Sequence, residues 1–392
     1  MIYKDLCGER VSMLGFGTMR LPTENGEINT PLFEKMVDLA IKEGVNYFDT
    51  AWPYHAGLSE IAIGKALSKY PRESYFLANK YPGHQIFESY DPAEIFEEQL
   101  KKCGVEYFDF YLLHNVYENS LSVYLDEKWG ILDYFKEQKR KGRIKHLGFS
   151  SHARPETLKK FLEIAGKDME LCLIQLNWMD WTLQNAKEKV EILNSYNIPI
   201  LVMEPVRGGK LCSLKEADEK KLKALRPDDT IPAWGFKFLH NIQGVSLVLS
   251  GMSNMEQMQE NIKTFATPDP LNETETSTLF DIAEGMKSSV PCTSCRYCTE
   301  GCPQSLNIPE LIAIYNDISF LASTTSAMAL EFAPKEKLPS ACVGCQNCTH
   351  VCPQNIDIPN VLQDLDEKLK TIPKWADICR EREETAKKLK SL

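Results

Sequence analysis

The chain has 392 residues, of which 43% are hydrophobic and 26% are charged, a composition typical of globular proteins rather than of disordered or collagenous ones. The formal net charge of −10 argues against nucleic acid or an anionic membrane as the main partner. No apolar run reaches the ~18 residues that a membrane span needs, and the first residues lack the pattern of a secretory signal. We therefore expect a cytoplasmic protein with no nucleic-acid partner and no membrane span.

Residues 1–265 alternate short apolar runs with longer amphipathic stretches. Eight such units over ~250 residues are typical of a (β/α)8 TIM barrel. A doubly wound open sheet is the alternative, but no G-x-G-x-x-G fingerprint opens a helix after the first run. Residues 2–10 are compatible with a small hairpin before the barrel. The eight predicted strands are Val11–Gly15, Tyr47–Thr50, Tyr75–Asn79, Phe108–His114, His146–Ser150, Leu171–Gln175, Ile198–Met203 and Val245–Leu249.

A proline-rich stretch from Phe265 to Asn272 marks a boundary. Asn272 is followed three residues later by Glu275, the spacing of a capping box that begins a helix. We therefore predict an α/β chain in three parts. They are a (β/α)8 barrel at 1–270, a linker helix at 271–290, and a small, mostly α-helical domain at 291–392.

The last of these parts contains an internal repeat. The pattern C-x2-C-x2-C-x3-C-P occurs twice, and it is the ligand spacing of bacterial two-cluster ferredoxins, in which the fourth cysteine of each run serves the other cluster. Zinc is the alternative, but zinc sites usually use paired cysteines rather than runs of four. The helical patterns between the copies resemble α-helical ferredoxin domains, so we expect residues 291–392 to form a small ferredoxin-like domain. The predicted [4Fe–4S] ligand sets are Cys292, Cys295, Cys298 and Cys352, and Cys342, Cys345, Cys348 and Cys302.

Four ionisable residues lie at or just after the carboxyl ends of three successive predicted strands, where TIM barrels carry their active sites. They are Asp49, Tyr54, Lys80 and His114. A lysine ammonium beside a phenol favours the phenolate, so we expect Lys80 to lower the pKa of Tyr54 and Asp49 to hold the ammonium by an ion pair. His114 is then placed to hydrogen-bond a substrate carbonyl while Tyr54 acts as general acid.

Several segments of residues 1–265, in order, resemble the aldo-keto reductase family. They are LGFGTMRLP, GVNYFDTAWPYHAGLSEIAIGKAL, LANKYP, FDFYLLHN, IKHLGFSSH, LIQLNW and SGMSNMEQMQENI. The resemblance implies an oxidoreductase that interconverts small carbonyl and alcohol substrates with NADP or NAD, using the four residues above. It also implies a set of cofactor-binding residues. These are Gly17, Thr18, Met19, Ser150, Ser151, Gln175, Met203, Pro205, Arg207, Gly251, Ser253, Gln257, Glu260 and Asn261.

Two positions depart from that family pattern. Met203 stands where an aromatic residue often stacks on the nicotinamide, and a thioether packs less rigidly on a ring. Gln257 stands where many members carry a basic residue for the 2′-phosphate, so NADP versus NAD stays open. Arg207 is a candidate for the pyrophosphate.

The two predicted halves differ in how many electrons they move. Hydride transfer moves two electrons together, whereas an iron–sulfur cluster moves one. Three interpretations follow. The clusters transfer electrons from a protein partner through a flavin bound in the barrel, they are structural, or the barrel is a non-catalytic binding module. We favour a redox role, since two clusters suit electron transfer better than a structural clamp.

Overall fold

The computed structural model describes residues 1–85, 87–286, 290–292, 294–320 and 322–390. Eight parallel strands close into a barrel in which each strand pairs with its neighbours in the chain and the eighth pairs with the first. This confirms the (β/α)8 prediction over the open sheet. The barrel strands, numbered one to eight below, are Leu14–Gly17, Tyr47–Asp49, Phe76–Tyr81, Phe108–Leu113, Ile144–Ser151, Cys172–Gln175, Ile200–Met203 and Val245–Ser250.

The first predicted strand was partly wrong. The run Val11–Gly15 is divided between a hairpin and the barrel, because Tyr3–Leu6 pairs with Glu9–Ser12 in an antiparallel hairpin before barrel strand one. Leu6 and Val11 of this hairpin are fully buried in the same apolar cluster as the barrel interior. The hairpin therefore closes the amino-terminal end of the barrel, and a second small pair is formed by Thr23–Glu24 and Glu27–Ile28.

Helices connect the barrel strands. Asn272 and Glu275 exchange the two hydrogen bonds of a capping box at 2.8 and 3.0 Å, as the sequence predicts. The α-helices of this part are Thr30–Lys42, Leu58–Leu67, Pro92–Cys103, Leu121–Leu125, Ile131–Arg140, Pro155–Ala165, Asp180–Leu183, Ala186–Ser195, Glu216–Leu225, Ile231–Leu239, Met255–Thr264 and Glu273–Met286. The 3-10 turns are Thr18–Arg20, Tyr54–Gly57, Arg72–Ser74, Gly166–Asp168 and Arg207–Gly209.

The chain divides into two compact units, one formed by Met1–Leu279 with Arg382–Leu392 and the other by Phe280–Glu381. This division falls within the helix Glu273–Met286, whereas the sequence places boundaries after 270 and 290. Residues 287–289, at the end of the predicted linker helix, lie outside the described residues.

The second unit is helical and has its own apolar core, in which Ile308, Leu311, Ile358 and Leu362 are buried. Its two long helices follow the two cysteine runs. Among the described residues, we find no helix with the length and apolar character needed to cross a bilayer. The helices from residue 297 onward are Tyr297–Glu300, Ile308–Phe320, Thr324–Glu331, Asn347–His350, Ile358–Lys370 and Trp375–Lys390, with 3-10 turns at Lys335–Lys337 and Pro339–Ala341.

Candidate active site and cluster sites

The four residues predicted for proton transfer meet at the carboxyl-terminal mouth of the barrel. Asp49 ends strand two and Lys80 lies in strand three, while His114 directly follows strand four. Tyr54 begins the turn Tyr54–Gly57 after strand two. Because parallel strands present their carboxyl ends at one face, residues distant in sequence become neighbours there.

Lys80 is the centre of this arrangement. Its Nζ donates to Asp49 Oδ1 at 2.5 Å and to the Thr50 carbonyl at 2.8 Å, and lies 3.4 Å from the Tyr54 hydroxyl. The side chains of Lys80 and Asp49 are 1% and 3% exposed. A buried ammonium of this kind needs a charged partner and hydrogen bonds to offset its lost hydration, and Asp49 and Thr50 provide them.

His114 faces Tyr54 across the mouth, with ring centroids 6.0 Å apart and nearly perpendicular planes. His84, which belongs to none of the predicted site residues, also packs against His114, at a centroid distance of 4.2 Å. Burial, followed by the nearby His84 and Lys80, lowers the pKa of His114 well below its ordinary value. The imidazole is therefore neutral at physiological pH and can donate a hydrogen bond without carrying a charge.

The expected lowering of the Tyr54 pKa was wrong in its net direction. Burial raises the pKa of the phenol above its ordinary value, and Lys80, which lowers it, does not fully offset that rise. The physical reason is that the free energy lost when a phenolate is removed from water exceeds the stabilisation it gains from the Lys80 ammonium, whose Nζ lies 3.4 Å from the hydroxyl. Burial also lowers the pKa of Lys80, but Asp49 and Tyr54 outweigh this and raise it.

A buried polar network beneath the mouth holds the Lys80 backbone. Asn79 Oδ1 accepts from the Lys80 amide at 2.8 Å, and Gln99 Nε2 donates to the Lys80 carbonyl at 3.0 Å. Glu60 Oε1 accepts from both of these amide side chains at 2.9 Å. Glu60 lies in the segment that resembles the aldo-keto reductase family, but only the structure shows that it anchors Lys80 through Asn79 and Gln99.

His55 connects Tyr54 to the loop after strand one. Its Nε2 accepts from the Leu21 amide at 3.1 Å. His55 and Ala56 both have positive φ, 49° and 54°, a conformation that is rare for residues other than glycine and that costs energy. The backbone beside the proposed proton donor is thus held in a strained turn by this contact.

The residues implied as cofactor ligands lie around the same mouth. Gly17, Ser151, Gln175 and Met203 end strands one, five, six and seven, and Gly251 directly follows strand eight. Ser150 lies in strand five, and the other members of the set follow the same strands or lie in the helix Met255–Thr264. These others are Thr18, Met19, Pro205, Arg207, Ser253, Gln257, Glu260 and Asn261.

Some of these side chains already have partners within the protein. Gln175 Nε2 donates to Asp180 Oδ2 at 2.8 Å, and the buried Asn261 donates to Ser250 Oγ at 3.0 Å. Arg207, the residue expected at the pyrophosphate, is 2% exposed and its Nε lies 3.1 Å from Asp180 Oδ1. The Arg207 guanidinium therefore stabilises the loop after strand seven through a buried ion pair with Asp180.

Arg20 is a cationic residue that the sequence argument missed. It is exposed at the end of the turn Thr18–Arg20, and its side chain passes over the loops after strands seven and eight. A Cβ on Gly208 would lie 3.1 Å from an Arg20 guanidinium nitrogen, and one on Gly251 would lie 3.2 Å from Arg20 Cβ. Phosphates in TIM barrels commonly bind at these two loops. The only sequence signal was its place in the segment after strand one.

In the second unit, the eight clustered cysteines surround two cavities, with four thiols at each. Every thiol set combines three cysteines of one run with the fourth of the other, as predicted from the spacing. The first cavity is lined by Cys292, Cys295, Cys298 and Cys352, and the second by Cys302, Cys342, Cys345 and Cys348.

The two runs also have the same backbone conformation. Arg296 and Gln346, at matching positions, have φ of 66° and 64°, and each precedes a four-residue helix. Ser294 and Gly344 match in the same way, at 56° and 67°. Turns that alternate left-handed and right-handed residues direct successive amides inward, a geometry common at iron–sulfur sites. The donor sets and backbone therefore fit two cubane clusters.

Comparison with known proteins agrees with both parts. Residues 13–284 match the family model described as "Aldo/keto reductase family", and residues 291–356 match the model described as "4Fe-4S dicluster domain". A "Probable aldo-keto reductase 1" of Glycine max is 32% identical over 214 residues, 52% of this chain and 58% of that protein. The chain thus spans somewhat over half the length of this relative.

Two further comparisons cover most of the other protein. The "NADH-specific methylglyoxal reductase" of Escherichia coli (strain K12) is 24% identical over 71% of this chain and 96% of its own. The solved structure of aldo-keto reductase AKR11C1 from Bacillus halodurans has a TM-score of 0.60 and 24% identity, covering 72% of this chain and 96% of that one. At this identity the structure shows a shared fold. The family model covers more than half of this chain's length, so the chain belongs to the aldo/keto reductase family, and a 4Fe-4S dicluster domain follows the barrel.

Proposed function

We propose that the barrel reduces the carbonyl group of a small substrate to an alcohol, with Tyr54 as the general acid. One observation carries this proposal: Lys80 Nζ lies between the Asp49 carboxylate and the Tyr54 hydroxyl, at 2.5 and 3.4 Å, in the mouth of the barrel. When bound there, a nicotinamide cofactor supplies the hydride. The protein supplies the proton and the positioning of the carbonyl.

Each of the four residues has a separate task. Tyr54 donates the proton from Oη to the carbonyl oxygen as that oxygen gains negative charge. Lys80 stabilises the phenolate left behind, and Asp49 keeps the ammonium in place. His114, being neutral, donates a hydrogen bond that orients the carbonyl beside Tyr54, and such positioned donors contribute most where charge develops.

The cofactor is held at the loops after strands one, seven and eight. Arg20 offers the cationic contact for its pyrophosphate, next to Gly208 and Gly251. On the adenine side, the helix Met255–Thr264 has Glu256 in its first turn and no basic residue there. Since Gln257 is also uncharged, this turn offers no cationic side chain to pair with a 2′-phosphate, which supports NADH rather than NADPH as the cofactor.

The cysteine sets hold two [4Fe–4S] clusters that exchange single electrons with a partner protein. The clusters supply one-electron chemistry when bound. Cys295 and Cys345, one in each set, are exposed, so each cluster has a cysteine edge that a partner can approach. Bleaching of the cluster absorbance by a one-electron protein donor such as reduced ferredoxin, under anaerobic conditions, would support this exchange, whereas clusters that such a donor does not bleach would indicate a structural role.

The decisive experiment for the barrel is Tyr54→Phe, assayed by carbonyl-dependent NADH oxidation. We expect kcat to fall by about 10²–10⁴-fold, the usual contribution of general acid catalysis, with unchanged cofactor affinity. Tyr70→Phe is the matched control, because Tyr70 lies at the surface and its hydroxyl contacts Asp38. A Tyr54→Phe enzyme that retains activity would show that the proton comes from elsewhere.

A further inference from the structure

A second group of reactive side chains lies at the amino-terminal end of the barrel, away from the mouth. Cys7 is in the turn of the closing hairpin, His146 is in strand five, and Glu170 precedes strand six. One donor atom from each residue lies within 4.8 Å of the other two. All three side chains are partly accessible to solvent.

Cys7 occupies an unusual position for a cysteine. It and Gly8 form a two-residue turn with φ of 58° and 87°, the pattern of a type I′ turn, in which Asn-Gly is strongly preferred. A thiol has no conformational advantage there. Its Sγ lies 3.4 Å from the Glu170 carbonyl oxygen, so the turn directs the thiol onto the barrel rather than into solvent.

His146 and Glu170 contact each other, and a second carboxylate lies near the histidine ring. His146 Nδ1 lies 3.0 Å from Glu170 Oε1, and its other nitrogen, Nε2, lies 3.9 Å from a Glu9 carboxylate oxygen. A histidine ligand typically donates its second N–H to a carboxylate, and the Glu9 carboxylate lies on that side of the ring, although 3.9 Å is longer than a hydrogen bond. The ring also stacks on Phe110, with centroids 5.0 Å apart.

The second oxygen of Glu170 is held separately. Oε2 accepts from the Leu147 amide at 3.0 Å and pairs with the Lys139 ammonium, which leaves Oε1 to contact His146 Nδ1. With the thiolate formed, the negative charges of Cys7, Glu9 and Glu170 exceed the single positive charge of Lys139 by two. A divalent cation would balance that difference.

We propose that Cys7, His146 and Glu170 bind a divalent metal ion of the zinc class through Sγ, Nδ1 and Oε1. Thiolate, imidazole and carboxylate are the ligands zinc prefers, and three protein ligands leave a fourth position for water. On binding, the metal replaces the thiol proton, which passes to solvent. The ion joins the hairpin to strand five and to the segment before strand six.

Zinc binding to the full-length, cluster-containing protein tests this proposal. The protein is purified anaerobically and dialysed against zinc chloride, and zinc and iron are measured per chain. Cys7→Asn is the informative variant, since asparagine suits the type I′ turn and removes only the thiol. Cys212→Ser is the control, because Cys212 is another half-buried cysteine of the barrel unit.

We expect one zinc per chain in the wild type and in Cys212→Ser, at unchanged iron content. The affinity should fall at least tenfold in Cys7→Asn and in His146→Gln. X-ray absorption at the zinc edge should show one sulfur at ~2.3 Å with nitrogen and oxygen at ~2.0 Å. Equal binding by Cys7→Asn, a zinc shell without sulfur or with mostly sulfur, or no zinc bound by the wild type would overturn the proposal.

Discussion

The ion pair between Asp49 and Lys80 gives the sharpest test of the barrel site. Asp49→Asn would keep an acceptor oxygen near Lys80 Nζ but would leave the buried ammonium without a negatively charged partner. Lys80→Met would leave a buried carboxylate whose Oδ1 loses the ammonium and whose Oδ2 has no hydrogen-bond partner among the described residues. Removing one member of a buried pair costs about 3–5 kcal/mol, so each single variant should lose stability in that range.

The double variant Asp49→Asn/Lys80→Met should be less destabilised than the two single losses added together, by about 3 kcal/mol, because it leaves no unpaired charge. Urea unfolding of the full-length protein, followed by tryptophan fluorescence, measures these differences. Five of the six tryptophans lie before residue 280, so the signal reports mainly on the barrel.

Glu216→Gln is the control for this cycle. It breaks an exposed pair with Lys220, whose side chains are 84% and 75% exposed, and should cost at most about 0.5 kcal/mol. Single variants at Asp49 or Lys80 that lose less than about 1 kcal/mol, or a double variant as unstable as the sum of the two, would refute the view that this pair is a coupled, desolvated unit.

Three further predictions concern pH, cofactor choice and cluster ligands. The pKa of Tyr54 lies above its ordinary value of 10.0, so the phenol remains protonated from pH 6 to about 9. We therefore expect no loss of reductive kcat/KM from deprotonation of Tyr54 in that range. A fall in kcat/KM on the alkaline side, centred near neutral pH, would contradict this. Gln257→Arg should raise the ratio of kcat/KM with NADPH to kcat/KM with NADH roughly tenfold, since a charge-assisted hydrogen bond contributes about 1.5–3 kcal/mol. An unchanged ratio would show that residue 257 does not lie near the 2′ position of the cofactor. Cys352→Ser should damage the same cluster as Cys295→Ser, and Cys302→Ser the other one, with iron reduced by about half in each; identical paramagnetic resonance spectra for Cys302→Ser and Cys295→Ser would contradict the exchanged fourth ligands.

Local patterns were enough to predict the cluster domain. The three closely spaced cysteines of each run must lie on one turn because few residues separate them, and the repeat predicts that both turns adopt one conformation. The matching φ angles of Arg296 and Gln346 agree. The placement of Cys352 beside the first run and Cys302 beside the second followed from a known ligand pattern rather than from local spacing.

The barrel mouth was predictable for a related reason. Apolar runs separated by helices predict parallel strands, and parallel strands bring their carboxyl ends together. Asp49, Lys80 and His114 could therefore be grouped without coordinates, although nothing local fixed the distances between them.

What only the tertiary structure decided depends on burial and on contacts between distant segments. The net direction of the Tyr54 pKa follows from competition between desolvation and Lys80, and desolvation is a property of the packed site. The sequence does not distinguish Arg207 from Arg20, since both are arginines in loops of the barrel. In the structure the Arg207 guanidinium is buried against Asp180, whereas Arg20 is exposed and its guanidinium lies beside Gly208. The grouping of Cys7 with residues more than a hundred positions away exists because the closed barrel brings the hairpin onto strands five and six, and no pattern along the chain records that contact.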